Sequence, residues 1–125
     1  MYQSAAQTYQ NNQVTTATPA ELTLMLYNGA LKFLKQTRGS IGTGDLEKAN
    51  EYNKRVQDIL QELMATLNKE YPLAEQMMKV YDYMMKRLVE ANIRKDIAIL
   101  DEVEEFFVQF RDTWKEAMVL MKKQA

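Results

Sequence analysis

The side chains that most often perform acid–base or metal chemistry are scarce in this 125-residue sequence. It contains no histidine and no cysteine, which argues against histidine-based triads, histidine phosphotransfer, thiolate nucleophiles and most zinc or iron sites. The features that remain are a run of carboxylates at residues 101–105, a glycine-rich stretch at residues 39–44, Asn53 and the single tryptophan, Trp114.

The four carboxylates among residues 101–105 could in principle contribute to a metal site in a helical core. Di-iron bundles need inward glutamates from several helices together with the histidines of paired Glu-x-x-His motifs. Here Val103 and Phe107 take the inward positions, and carboxylates in the first turns of a helix favour its dipole. We therefore predict a solvated helix start, with no metal and no cofactor.

The other candidates are also better explained by structure than by catalysis. Residues 39–44 come after a predicted helix, whereas a phosphate-binding loop follows a strand, and they lack the lysine of such a loop. They therefore predict a turn between helices. Asn53 interrupts an apolar seam, where a buried amide commonly fixes helix register. Trp114 falls on an inward row, as a core residue or as an anchor beside a groove. The sequence thus predicts a binding protein rather than an enzyme.

The overall composition narrows the partner class. Hydrophobic residues make up 46% and charged residues 26% of the chain, which is typical of one globular domain. The formal net charge of −1 is too small to neutralise many phosphates, so nucleic acid is not an expected partner. Neither a signal peptide nor a long apolar run is apparent, and we expect a cytoplasmic protein without membrane insertion.

Four helices must position these residues. Thr18, Pro19 and Glu21 form a capping-box start, Gly39 and Asn92 are candidate helix stops, and Asp96 is a candidate N-cap. The predicted helices cover residues 18–38, 45–69, 73–91 and 96–122. Short connections predict an all-α, antiparallel up-down-up-down four-helix bundle over residues 18–125. Residues 1–17, which carry no charged side chain, are predicted to be a flexible N-terminal arm.

The helical spacing assigns one inward row to each helix. These rows are Leu22, Leu26, Gly29 and Phe33; Leu46, Ala49, Asn53, Val56, Leu60, Leu63 and Leu67; Ala74, Met77, Tyr81, Met84, Leu88 and Ala91; and Leu100, Val103, Phe107, Phe110, Trp114, Ala117 and Met121.

More apolar residues recur seven apart than these rows require, and nine methionines add adaptable surface. The candidate partner-binding residues are Leu24, Tyr27, Tyr52, Ile59, Met78, Met85, Ile99 and Phe106, with Tyr9 and Val14 on the arm. Such stripes indicate a groove for a partner helix. A wide core face and a self-associating structural bundle are the alternatives. We further hypothesise that Tyr9 and Val14 dock the arm into the groove when no partner is present.

Two long blocks of the sequence resemble a known family. Residues 14–22 with 24–33 form the first block, and the motifs within residues 81–92 and 102–115 form the second. Both blocks resemble the flagellin-specific export chaperones of the FliS family, over most of the chain. One departure is Lys95-Asp96, where the family usually reads Asn-Asp; the candidate N-cap is retained.

The resemblance implies a four-helix bundle that binds the disordered C-terminal segment of flagellin in the cytoplasm. It would prevent premature polymerisation and assist delivery to the flagellar type III export apparatus, where the family contacts the cytoplasmic domain of the export gate. No nucleotide is implied. A weak homodimer of the free protein is compatible with this function and with a structural bundle.

Overall fold

The computed structural model describes residues 17–124, and its regular structure over that range is entirely helical. The helices are α1 (Pro19–Gly42), α2 (Leu46–Thr66), α3 (Ala74–Arg94) and α4 (Ile97–Gln124). Each helix packs against the next one in the chain, and α4 packs against α1. Because the connections at residues 43–45, 67–73 and 95–96 are short, neighbouring helices run antiparallel. The predicted four-helix bundle is confirmed. No helix in residues 17–124 has the length and apolar character needed to cross a membrane.

Side chains cap three of the helix starts, and the sequence predicts two of these caps, Thr18 and Asp96. Thr18 accepts a hydrogen bond from the Glu21 amide at 3.1 Å, and the Glu21 carboxylate completes the capping box. Asp45 accepts from an amide in the first turn of α2 at 3.1 Å. Asp96 accepts from the Ala98 amide at 2.9 Å at the start of α4. These bonds satisfy amides that the helices leave without internal partners.

Gly39 does not end α1, contrary to the prediction. The helix continues through it to Gly42, and the left-handed residue is Gly44, with φ of 79°. Glycine inside a helix costs only about 1 kcal/mol. Ile41 packs against the core in the extra turn, and this burial offsets that cost.

The predicted stop at Asn92 is also wrong, because α3 continues to Arg94. The Asn92 side chain instead bonds to Asn50 of α2. The left-handed position falls on Lys95, with φ of 51°. This conformation is uncommon for a lysine and more readily adopted by asparagine or glycine.

The predicted end of α2 is three residues too late, since the helix stops at Thr66. Asn68 accepts a hydrogen bond from the Glu70 amide at 3.0 Å. Asparagine side chains compete for backbone donors in this way and favour turns over helix.

Burial confirms most of the predicted inward rows, with three exposed exceptions. Leu46 is 51% exposed at the first position of α2, and Ala117 and Met121 are exposed on α4. Ala117 and Met121 are exposed because α4 has 28 residues and α3 has 21, so the end of α4 projects roughly 10 Å beyond α3 at 1.5 Å per residue.

Candidate partner-binding surface

Three residues predicted to lie on exposed stripes are instead in the core. Tyr27, Ile59 and Ile99 are at most 4% exposed. The placement of these three on an exposed stripe is therefore wrong for the described conformation. Helices of globular proteins commonly bury a face wider than one row, and this bundle does so.

The other described candidates are half-buried but lie in four different grooves. Leu24 lies on the same face of α1 as Arg38, which bonds to Asp101 of α4. Tyr52 of α2 stacks on Phe33 of α1. Phe106 contacts α3, and the row of Met78 and Met85 leads to Asn92, which bonds to α2. These residues do not form one continuous stripe. Tyr9 and Val14 lie outside the described residues.

The groove between α3 and α4 is closed by a charged network. Glu102 accepts hydrogen bonds from Arg87 Nε at 2.7 Å and from the Tyr83 hydroxyl at 2.8 Å. These two bonds lower the pKa of the Glu102 carboxyl, and the same contacts raise the pKa values of Arg87 and Tyr83. The Tyr83 ring also meets Phe106 edge-on at 6.0 Å. A partner would have to disrupt these contacts to enter here.

The groove between α1 and α4 is bridged at both ends. Arg38 binds Asp101 at 2.6 Å and Glu104 at 3.0 Å, so part of the acidic run pairs with the neighbouring helix. Trp114 Nε1 donates to the Ala20 carbonyl at 2.9 Å. Within residues 17–124, no group of acidic side chains is arranged to hold a metal ion.

The groove between α1 and α2 is covered by an aromatic stack. Phe33 and Tyr52 are 6.3 Å apart, and the Arg55 guanidinium lies 5.6 Å from the Phe33 ring centre. Cations over aromatic faces at this distance are attracted to the ring. Glu51 also pairs with Arg55 at 3.0 Å.

Side-chain amides hold the fourth groove, between α2 and α3. Asn53 is buried, donates to the Leu88 carbonyl at 3.1 Å and accepts from Gln57 at 2.8 Å. This confirms the predicted structural role of Asn53. Asn92 Nδ2 donates to Asn50 Oδ1 at 2.6 Å near one end of the groove. These neutral bonds are the described polar contacts across the groove.

Towards the other end, methionines replace the amides. The rows that face each other, in seven-residue steps, are Asn50, Gln57 and Met64 of α2 and Asn92, Met85 and Met78 of α3. All three methionines are half-buried. Because the rows run antiparallel from the Asn50–Asn92 bond, Met64 and Met78 occupy the same end. This half of the groove is apolar and has no charged bridge among the described residues.

A buried aromatic cluster underlies the methionine end of the bundle. The hydroxyls of Tyr27 and Tyr81 are 2.6 Å apart, and burial raises the pKa values of both tyrosines. Phe110 stacks on Tyr27 at 5.9 Å, and Trp114 meets Tyr27 edge-on at 6.4 Å. The half-buried Trp114 is thus part of the packing. These contacts join α1, α3 and α4 at this end of the bundle.

The sequence prediction did not include the amide row or the Tyr83–Arg87–Glu102 network. Asn50, Gln57 and Asn92 do occur at helical spacing, which is a weak signal without knowledge of which rows face each other. Tyr83 and Glu102 are 19 residues apart, and no local pattern relates them.

The sequence of this chain is similar to those of known proteins. The chain matches the family model for "Flagellar protein FliS" over residues 1–121. It is 50% identical over 115 residues to the flagellar secretion chaperone FliS of Bacillus subtilis (strain 168), covering 92% of this chain and 86% of that relative. It is 32% identical to the Salmonella typhimurium FliS, covering 89% and 84%, and 30% identical to the Escherichia coli FliS, covering 94% and 88%. The chain belongs to the FliS family.

Proposed function

We propose that this chain is a cytoplasmic export chaperone that binds the C-terminal segment of flagellin. Binding prevents premature polymerisation and assists delivery to the flagellar type III export apparatus, with the cytoplasmic domain of the export gate as a second partner. The names of the relatives, flagellar secretion chaperones, support this role. The chaperone acts by binding and release, without chemical turnover.

The observation that carries the proposal is the methionine end of the α2/α3 groove. Charged or aromatic contacts bridge the other three grooves, whereas Met64, Met78 and Met85 are half-buried without such a bridge. Methionine side chains adapt to irregular partners because they are flexible and polarizable. An amphipathic helix of the client fits a groove of this kind.

A disordered client needs a long contact, because it loses conformational entropy when it folds on the chaperone. At about 25 cal/mol per Å² of apolar area, at least about 1,000 Å² must be buried to offset ordering and association. One groove half is too short for this area. We therefore propose that the client continues over the half-buried Leu24, Tyr52 and Phe106, while Tyr27, Ile59 and Ile99 support the surface from the core. Tyr9 and Val14 of the arm are proposed to compete for the same groove.

Self-association is the second candidate, and one observation favours it. Val119, Leu120 and Met121 are each more than half exposed at the projecting end of α4. Consecutive exposed apolar residues are typical of contacts with another chain. A weak homodimer through this end would use residues of α4 and not those of α2 or α3, so it is compatible with chaperone function.

Isothermal titration of the full-length chain with the C-terminal segment of flagellin tests the proposal. We expect a one-to-one complex with a strongly negative heat-capacity change, because apolar surface is buried. Sedimentation of the mixture distinguishes the alternatives. A heterodimer supports the chaperone, whereas homo-oligomers that never incorporate flagellin support the structural bundle and contradict our proposal.

A further inference from the structure

We propose that one polar stripe of α2 selects the client by its hydrogen-bonding pattern, and thereby sets the register of the bound helix. The stripe comprises Asn50, Lys54, Gln57 and Gln61, which share one face of α2. This inference rests on the proposed function, because it concerns the groove proposed to bind flagellin. It adds that apolar contact is not the only requirement on the client.

The stripe borders open space that a second helix can occupy. The outer face of α2 borders an open surface region of about 600 Å³, lined by Glu47, Asn50, Glu51, Lys54, Gln57, Asp58 and Gln61 of this one helix. The row of Asn50 and Gln57 continues to Met64. A helix lying along this edge would therefore meet polar groups on one side and the methionines on the other.

The hydrogen bonds inside the bundle fix which atom Asn50 presents outwards. Lys95 Nζ donates to Asn92 Oδ1 at 2.7 Å, so the Asn92 amide nitrogen is the atom that donates to Asn50 Oδ1 at 2.6 Å. The Asn50 nitrogen keeps its two hydrogens, with no partner in residues 17–124. Asn50 is consequently an outward donor.

The same reasoning makes Gln57 an outward acceptor. Asn53 Nδ2 donates to the Leu88 carbonyl, which leaves Asn53 Oδ1 to accept from Gln57 Nε2 at 2.8 Å. Gln57 Oε1 then has no partner in the described part of the chain. Asn50 and Gln57 are seven residues apart, or roughly 10 Å along the helix. A client helix can match both with side chains two turns apart.

This pattern specifies the chemistry of the client. The side chain opposite Asn50 must accept a hydrogen bond, and the one opposite Gln57 must donate one, so amides and hydroxyls suit both positions. A carboxylate opposite Gln57 would face the Gln57 oxygen and receive no hydrogen bond from that side chain, whose nitrogen already donates to Asn53. The carboxylates of Glu47, Glu51 and Asp58, set against Lys54, further disfavour an acidic client face. The predicted client is an amphipathic helix with an apolar face and an adjacent amide-rich face.

The substitution Asn50→Asp tests the donor with little disturbance of the bundle. Aspartate keeps the oxygen that accepts from Asn92, but it replaces the outward donor with an acceptor. In titrations of the full-length chain with the C-terminal segment of flagellin, we expect about ten-fold weaker binding for Asn50→Asp. For Gln57→Ala we expect about five-fold weaker binding, which corresponds to the loss of one hydrogen bond with a net value of ~1 kcal/mol.

Two controls separate recognition from stability. Asn92→Ala loses the α2–α3 hydrogen bond that orients Asn50, but the Asn50 amide can still turn its nitrogen towards a client, so its affinity should fall by less than about three-fold, against about ten-fold for Asn50→Asp. Gln76→Ala removes an exposed amide from α3 and should have no effect. Thermal unfolding of every variant identifies any loss of fold.

A chemical footprint locates the client independently. The chain contains no cysteine, so Lys54→Cys gives a single thiol within the stripe, and bound flagellin segment should slow its reaction with maleimide about ten-fold. Lys48→Cys, on another side of α2, should react at an unchanged rate.

The outcomes distinguish the two proposals. If the unmodified chain binds the flagellin segment but Asn50→Asp and Gln57→Ala bind equally well, the stripe does not select the client and the inference fails. Loss of binding in a Met78→Glu, Met85→Glu double variant would then still support the chaperone function. If the unmodified chain does not bind the segment at all, both proposals fail.

Discussion

The two sides of α3 both present apolar side chains but make very different grooves. On the α4 side, Glu102 joins Arg87 and Tyr83, and Phe106 packs against the Tyr83 ring. On the α2 side, Met78 and Met85 occupy the corresponding flank, and amides are the polar contacts. Charged side chains that bridge two helices fix the groove between them, whereas methionines leave it adaptable. Apolar content alone therefore does not identify the groove that is available to a partner.

The largest expected effect comes from charging the adaptable side. The double substitution Met78→Glu and Met85→Glu should weaken binding of the flagellin C-terminal segment at least about 100-fold, because a buried unpaired carboxylate costs several kcal/mol. The melting temperature should change little, since both methionines are only half-buried. Val119→Glu, at an exposed position on α4, is the matched control for calorimetry. If Val119→Glu weakened flagellin binding as much as the double substitution does, the α2/α3 groove would not be the specific binding surface.

A smaller effect is expected from the amide that joins α2 to α3. Asn53→Ala should lower the free energy of unfolding by about 2 kcal/mol, because it removes one buried and one partly buried hydrogen bond and leaves the Gln57 nitrogen without a partner. Urea denaturation measures this change. Asn28→Ala, at an exposed position of α1, should stay within about 0.5 kcal/mol. A neutral Asn53→Ala would mean that the amides do not hold this groove.

On the charged side, Glu102→Gln should cost less than about 1 kcal/mol, since the Arg87 and Glu102 side chains are only partly buried and solvent screens the pair. The folded-state pKa of Glu102 lies below the ordinary value of 4.5. Its stabilisation is thus complete above that value and is lost as the pH falls through the folded-state pKa.

Denaturation at several pH values tests this sign. The Glu102→Gln variant should lose less stability than the unmodified chain below pH 4.5, and its affinity for flagellin should remain within two-fold. A large affinity loss would show that the client depends on this charged network itself and not only on the apolar surface of Phe106.

The smallest expected effect concerns Lys95, in the short connection between α3 and α4. Lys95→Asn should stabilise the chain by about 0.5 kcal/mol, because asparagine tolerates the left-handed conformation at φ of 51° better than lysine. The gain is limited by loss of the Lys95 bonds to Asn92. Thermal unfolding measures it. Arg94→Asn, inside α3, is the control and should be slightly destabilising; a gain there as well would contradict the conformational explanation.

The fold was predictable because its determinants are local and periodic. Thr18 and Glu21 form a capping box within four residues, and the apolar rows repeat every three or four positions. Helix ends were predicted less well. Gly39 and Asn92 are residue types that commonly end helices, but packing of Ile41 and the Asn92–Asn50 bond extend the helices past them. Tertiary contacts of this kind override local preference.

The candidate surface was predictable only in part. A seven-residue spacing identifies residues on one face of a helix, but it does not show which other helix packs against that face. Met78 and Met85 are half-buried in a groove, as their spacing suggested, while Ile59 has the same kind of spacing and lies in the core. Which flank is covered depends on the order of helices around the bundle. The hydrogen-bond directions at Asn50 and Gln57 depend on partners distant in sequence.

The position of the single tryptophan determines what intrinsic fluorescence can report. Trp114 is held by the Ala20 carbonyl and lies beside Tyr27 and Tyr71, so its emission follows the docking of the first helix on the last. Occupation of the amide end of the α2/α3 groove should be optically silent. An emission change on mixing with a ligand would mark a disturbance near the start of the first helix, and a second reporter placed by mutagenesis would be needed to observe the groove itself.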